Sequence, residues 1–149
     1  MITIVRTTAD NPDFIHLIQA LDRDIAIRDG EEHTFYAQFN KTDHIKHVLV
    51  AYEDDQALGC GAFKLYQDAT AEIKRMYVAP EGRGKGIATQ ILIHLQQWAA
   101  ENHFTNCILE TGQRYPEAIA LYLKNGFEIG DNYGQYIGIK DSVCFQKKI

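Results

Sequence analysis

The sequence predicts an α/β (α+β) fold, a mixed, mostly antiparallel central sheet of six to seven strands flanked by about four helices. Strand-like runs at His47 to Glu53, Ala57 to Tyr66 and Thr70 to Val78 are joined by the turn-length connections Asp54-Asp55 and Gln67-Asp68, which make antiparallel neighbours. A helical pattern ending near Asn102 then separates Val78 from a further strand at Asn106 to Glu110, so these two can lie parallel through a right-handed crossover. Apolar residues at 46% and charged residues at 23% are ordinary for a globular chain. A length of 149 residues suits one domain, residues 1–149, that buries about two-thirds of the surface its unfolded form exposes.

Taken in order, Ile2 to Arg6 alternates as a strand, and Asn11-Pro12-Asp13 gives a turn and a helix start. That helix is expected to reach about Arg28, with Phe14, Ile15, Leu17, Ile18, Leu21 and Ile25 on its apolar face, and Asp29-Gly30 ends it. Phe35, Tyr36 and Phe39 at helical spacing read as a short second helix, with Glu31, Glu32 and His33 in the loop before it. After the three strands, Ile87, Ile91, Leu95 and Trp98 form an apolar stripe, with Gln90, His94, Gln97 and Glu101 on the other side. Tyr115-Pro116-Glu117 opens a last helix, where the missing N–H of proline costs nothing, and Asn125-Gly126 stops it. Phe127 to Asp131, with an extension toward Ile139, and Val143 to Lys147 close the sheet.

Composition excludes several functions. A net charge of −5 argues against broad nucleic-acid binding, which needs surplus Lys and Arg to displace counterions. The longest apolar run, Val48 to Tyr52, is far short of the roughly twenty residues that cross a bilayer. The N-terminus lacks the charged start and apolar core of a secretion signal, so a cytoplasmic protein with no membrane partner is expected. Cys60, Cys107 and Cys144 lie far apart and read as reduced core thiols. His44 and His47 have no third ligand signalled nearby, so no metal is expected.

The chemistry concentrates between Glu72 and Asn102, where a strand, a glycine-rich turn and a helix follow one another. Gly82, Gly84 and Gly86 permit positive φ and close approach of backbone N–H groups to an anion at the helix N-terminus, and Arg83 and Lys85 add charge. The turn is not a Walker loop, because Lys85 is followed by glycine where Ser or Thr must hold magnesium. Nor is it a dinucleotide fingerprint, since Ile87 or Thr89 stands where a small residue is needed. What remains is Arg83-x-x-Gly86-x-Ala88, preceded by Met76-Tyr77-Val78-x-Pro80.

That spacing resembles the acetyl-CoA signature, (Gln/Arg)-x-x-Gly-x-(Gly/Ala), of the GNAT superfamily of N-acetyltransferases. Ala118-x-x-Leu121-Tyr122-x-x-x-Gly126-Phe127 resembles the family's second signature, and the element order β-α-α-β-β-β-α-β-α-β-β is similar to the GNAT acyl-CoA N-acyltransferase fold over nearly the whole chain. One departure stands out: many relatives carry asparagine three residues before that alanine, and here the position is Tyr115.

The resemblance implies an acetyl-CoA-dependent transfer to a primary amine of a small molecule or peptide, by direct attack in a ternary complex and without a metal. Backbone groups of Met76, Tyr77 and Val78 would pair with the pantetheine arm. The amides of Arg83, Gly84, Lys85, Gly86, Ile87 and Ala88 would hold the pyrophosphate. Glu72 is the expected base with Glu110 in reserve, because an amine of pKa about 10.4 is free base in about one molecule per thousand at neutral pH. An ordinary glutamate near pKa 4.3 matches that task poorly, so burial or a water relay is expected to assist it. Tyr122 would protonate or hydrogen-bond the departing thiolate. Asp29, Glu31 and Glu32 in the early loop, with Tyr133 and Tyr136 later, could line a pocket for a cationic acceptor, and a homodimer is compatible with the sequence. The competing reading is a non-catalytic acyl-CoA sensor, which would keep the glycine turn and dispense with acid and base.

Overall fold

The structure, a computed structural model, describes residues 1–30 and 45–149. The helix expected around Phe35, Tyr36 and Phe39 lies outside those residues, as do Glu31, Glu32, His33 and His44. The described elements are β1 (Ile2–Thr7), α1 (Pro12–Asp29), β2 (His47–Glu53), β3 (Gln56–Gln67), β4 (Thr70–Val78), α2 (Ile87–Glu101), β5 (Asn106–Gly112), α3 (Pro116–Lys124), β6 (Glu128–Gly130) and β7 (Ser142–Lys148). Short 3-10 turns stand at Pro80–Gly82 and Gly134–Tyr136. The seven strands hydrogen-bond in the order β1-β2-β3-β4-β5-β7-β6. The β1–β2, β2–β3, β5–β7 and β6–β7 ladders are antiparallel, and β4 pairs Thr70–Glu72 in parallel with Asn106–Ile108 of β5. The expected mixed, mostly antiparallel sheet is therefore present.

The chain packs as two compact units, Met1–Lys64 with Ile73–Leu95, and Leu65–Glu72 with Gln96–Ile149. In the first, α1 begins at Asn11, whose side-chain oxygen accepts from the amides of Asp13 (2.8 Å) and Phe14 (3.2 Å), satisfying two donors that the helix cannot. Phe14, Leu17 and Ile18 of α1 pack with Val48 and Val50 of β2 and with Cys60 and Ala62 of β3. Ile15 is exposed, a correction to the apolar face read from sequence, because it lies outside the 14, 17, 18 stripe. Asp29 is also corrected: it is the last residue of α1 and buried, not part of a loop.

The opposite face of β3 carries Gly59 and Gly61, and these decide how closely α2 can approach. A Cβ on Gly61 would come within 2.6 Å of the Met76 sulfur and 2.7 Å of Ile91. One on Gly59 would meet Ile87 at 2.9 Å. Alternation along the strand thus turns Cys60 and Ala62 toward α1 and leaves bare backbone for α2. Ile87, Ile91, Leu92, Leu95 and Ala99 are the buried residues of α2, whereas Trp98 at the flank of the stripe is half-buried.

In the second unit, Cys107 and Leu109 of β5, Val143, Cys144 and Phe145 of β7, and Tyr122 and Phe127 are buried. The extension of the sixth strand toward Ile139 is not made. β6 stops at Gly130, and Gly134 (φ +53°) and Gly138 (φ +80°) adopt left-handed conformations that an extended strand cannot contain. Among the described residues no helix is long and apolar enough to cross a membrane.

Candidate active site

The glycine turn in the first unit joins β4 to α2. Gly84 (φ +80°) and Gly86 (φ +75°) take positive φ with open space where a Cβ would stand, so the conformation alone calls for glycine. Gly82 serves differently: it is buried, and a Cβ there would come within 3.0 Å of Leu58 and 3.2 Å of both Ile87 and Val78. The carbonyl of Gly86 accepts the first intrahelical bond, from the Gln90 amide (3.1 Å). The amides of Ile87, Ala88 and Thr89 therefore have no intrahelical acceptor. Among the described residues no turn or cap hydrogen bond uses any amide from Gly84 to Thr89. The Arg83 amide differs, since it donates to the Pro80 carbonyl (3.3 Å) and closes the preceding 3-10 turn.

The two cations of the turn have partners. Arg83 Nε donates to the Val78 carbonyl (3.1 Å), folding the side chain back along β4. Lys85 Nζ pairs with Glu53 Oε1 at 2.5 Å, and that hydrogen bond is the first reason the Glu53 carboxyl titrates below the usual carboxylate range. An anion at the turn would meet a row of amides that no turn or cap bond uses, at a helix N-terminus, with two cations able to exchange partners toward it.

The second unit gathers a different set. Glu72, only 4% exposed, accepts a hydrogen bond from the Tyr133 hydroxyl (2.7 Å) through Oε2. Burial first, and then the Glu72 charge, push Tyr133 far above the ordinary tyrosine pKa, so its proton stays and the hydroxyl donates. The rings of Tyr66 and Tyr136 meet Tyr133 edge-on, at 5.2 and 5.6 Å. Asn132 secures this segment by donating to the carbonyls of Tyr136 and Ile139, each at 3.0 Å. The reserve carboxylate, Glu110, accepts from the Ser142 hydroxyl of the neighbouring strand (2.7 Å).

Tyr122, on α3, packs its ring against Phe127 and Phe145, with centroids 5.9 and 5.5 Å away. Its hydroxyl has no hydrogen-bond partner among the described residues. Burial, followed by the Glu110 charge, raises its pKa. Tyr115 stands at the N-cap of α3, where its carbonyl accepts from Ala118 and Ile119. Its ring lies where a Cβ on Gly112 would come within 3.2 Å.

The acetyltransferase (GNAT) family profile matches residues 13–127, which include both signatures up to Phe127. The chain belongs to the GNAT acetyltransferase family. It is accordingly an enzyme of the N-acetyltransferase class. It is 31% identical over 138 residues to the IAA acetyltransferase of Azospirillum brasilense, covering 91% of this chain and 90% of that one. It is also 31% identical to the uncharacterised N-acetyltransferase YjgM of Escherichia coli, over 82% of this chain and 78% of the relative. A crystal structure from Klebsiella pneumoniae described as an acyl-CoA N-acyltransferase superposes with TM-score 0.82 at 29% identity, over 99% and 97% of the two chains. The PaiA N-acetyltransferase of Thermoplasma acidophilum, solved in complex with coenzyme A, shares the fold at TM-score 0.73 and 19% identity, over 100% and 99% of the two chains.

Within this GNAT chain, sequence reasoning placed the glycine turn between β4 and α2 and named Glu72 and Tyr122 as candidates. It did not find that Tyr133 is bonded to Glu72, a contact across 61 positions that no local pattern announces. Nor did it assign Gly59 and Gly61, although two glycines at period two inside a strand are a signal of close approach. His47 stacks on Phe63 with centroids 4.5 Å apart, and among the described residues no three His, Cys, Asp or Glu side chains gather as a metal site would need.

Proposed function

We propose that this GNAT acetyltransferase uses acetyl-CoA to acetylate a primary amine of a small molecule or peptide, by direct attack in a ternary complex. The carrying observation is the exposed turn in which Gly84 and Gly86 hold positive φ ahead of the uncapped amides of α2. In this reading the diphosphate lies on the amides of Gly84, Lys85, Gly86, Ile87 and Ala88, and Arg83 contributes its guanidinium because its own amide is engaged. The backbone of Met76, Tyr77 and Val78 takes the pantetheine arm as an added strand. Coenzyme A bound in the related Thermoplasma fold supports the donor class.

Acetyl-CoA supplies the acetyl group as a thioester; the chain manages the protons. Freeing an ammonium of pKa about 10.4 at neutral pH costs about 4 to 5 kcal/mol, and Glu72 takes that proton. Tyr133 holds the Glu72 carboxylate by its hydroxyl and leaves it acceptor-only on that side. Tyr122 faces a handicap as a full proton donor, since even an ordinary tyrosine exceeds a thiol by roughly 1.5 pKa units and burial widens the gap. It acts by donating a hydrogen bond to the thiolate as charge develops, which needs no complete transfer. The buried carboxylate of Glu72 beside Tyr66, Tyr133 and Tyr136 suits a cationic acceptor. Three free, buried thiols suit a cytoplasmic setting.

Thiol release from acetyl-CoA is the test, measured with amino acids, polyamines, aminoglycosides and peptides bearing free amines. Release with at least one cationic class is expected. No release with any class, or anionic amines outperforming polyamines, contradicts the reading.

A further inference from the structure

We infer that Arg75 is a positioning residue for the acyl donor, its buried guanidinium tying α1 to the left-handed turn in β4 that sets the backbone of Met76, Tyr77 and Val78. The inference rests on the proposed placement of the donor along those three residues.

Arg75 sits inside β4 yet has φ +61°, a conformation disfavoured for every L side chain and ordinarily left to glycine. Its side chain is buried at the same time. One Nη2 atom donates to Asp22 Oδ1 (2.6 Å) and lies 3.4 Å from the Ile18 carbonyl, one turn earlier on α1. Nε is buried with no hydrogen-bond partner among the described residues. The Arg75 carbonyl accepts from the Cys60 thiol (3.4 Å), which fixes the peptide plane leading to Met76.

Glycine would hold this φ without strain, and an apolar side chain would fill the space without burying a charge or leaving a donor unpaired. Three unfavourable features therefore converge on one residue, immediately before the proposed pantetheine stretch. What arginine adds is reach: its Nη2 meets α1 at a backbone carbonyl and at a carboxylate one turn later. A left-handed residue in a strand rotates the peptide planes that follow it, so holding residue 75 holds the directions of the next amides and carbonyls. Asp22 is half exposed, so the tie can be cut at its outer end without opening the core.

The experiment compares wild type, Arg75→Met and Asp22→Asn by calorimetric titration with coenzyme A, by KM for acetyl-CoA against kcat, and by thermal unfolding. Arg75→Met is expected to weaken coenzyme A binding and raise KM for acetyl-CoA about tenfold, below the roughly hundredfold that a 1 Å misplacement can cost. Asp22→Asn should move both in the same direction by about threefold, with kcat changed less. Folded variants that bind coenzyme A as wild type does, with only a lower Tm, overturn the inference and leave Arg75 a structural residue. Should Arg75→Met not fold, Asp22→Asn decides the matter alone. Wild type that does not bind coenzyme A would instead remove the proposed function, and this inference with it.

Discussion

Tyr122→Phe removes one oxygen from a side chain that is 6% exposed and keeps the ring contacts with Phe127 and Phe145. Among the described residues the hydroxyl makes no hydrogen bond for the change to break, so Tm should shift by no more than a few degrees. The chemical step behaves differently. A hydrogen bond to a charged group contributes about 1.5–3 kcal/mol, and each 1.36 kcal/mol is a factor of ten in rate, so kcat should fall about 10- to 150-fold. Since burial and the Glu110 charge hold Tyr122 above its ordinary pKa of about 10, its titration should add no alkaline limb to the wild-type rate below that pH. The assay is thiol release at saturating acetyl-CoA, beside calorimetry with coenzyme A. Equal losses in kcat and coenzyme A affinity would assign Tyr122 to packing, and an unchanged kcat would remove it from the reaction.

Glu72→Gln keeps an oxygen for the Tyr133 hydroxyl but loses the base, so kcat should drop by about a hundredfold or more with Tm little changed; the full rate across the pH range would exclude Glu72. Gly86→Ala places a Cβ at φ +75° and should cost about 1–2 kcal/mol in denaturant unfolding, with weaker coenzyme A binding by calorimetry. Gly61→Ala forces contacts of 2.6 Å to Met76 and 2.7 Å to Ile91 and should destabilise by about 1–3 kcal/mol, visible as a lower Tm. Burial pushes Cys60 and Cys107 up to about 12 and Cys144 up to about 11. Their native-state protons are kept while the unfolded chain releases them, so stability is fully present below about pH 8.5 and falls above it. The loss is about 1.4 kcal/mol per pH unit per thiol, between roughly pH 9 and 11, measurable by urea unfolding.

How far the sequence could be read follows from the range of the interactions involved. The bounds of β2 and β4 agree with expectation because alternation and the Asp54-Asp55 and Gln67-Asp68 turns are local signals. The glycine turn was equally plain, since Gly84 and Gly86 take the φ that only glycine adopts without strain. Ile15 shows where a helical stripe is too coarse, since it lies one step outside the row that packs, and Trp98, in the last turn of its helix, is only half-buried. Asp29 read as a turn acid because it precedes Gly30, but the helix runs through it to a glycine cap whose amide returns to the Ala26 carbonyl. The Tyr133–Glu72 bond and the grip of Arg75 on Asp22 join positions 61 and 53 apart, and pattern carries no such information. A left-handed arginine inside a strand is hidden from propensity altogether.

The claim on which the function depends is that the backbone amides from Gly84 to Ala88 receive the diphosphate of the donor. Amide-resolved NMR of the 15N-labelled protein, titrated with coenzyme A, tests it most directly. The largest shift changes should fall on Gly84, Lys85, Gly86, Ile87 and Ala88. Saturable binding that leaves those five resonances where they began would contradict the account.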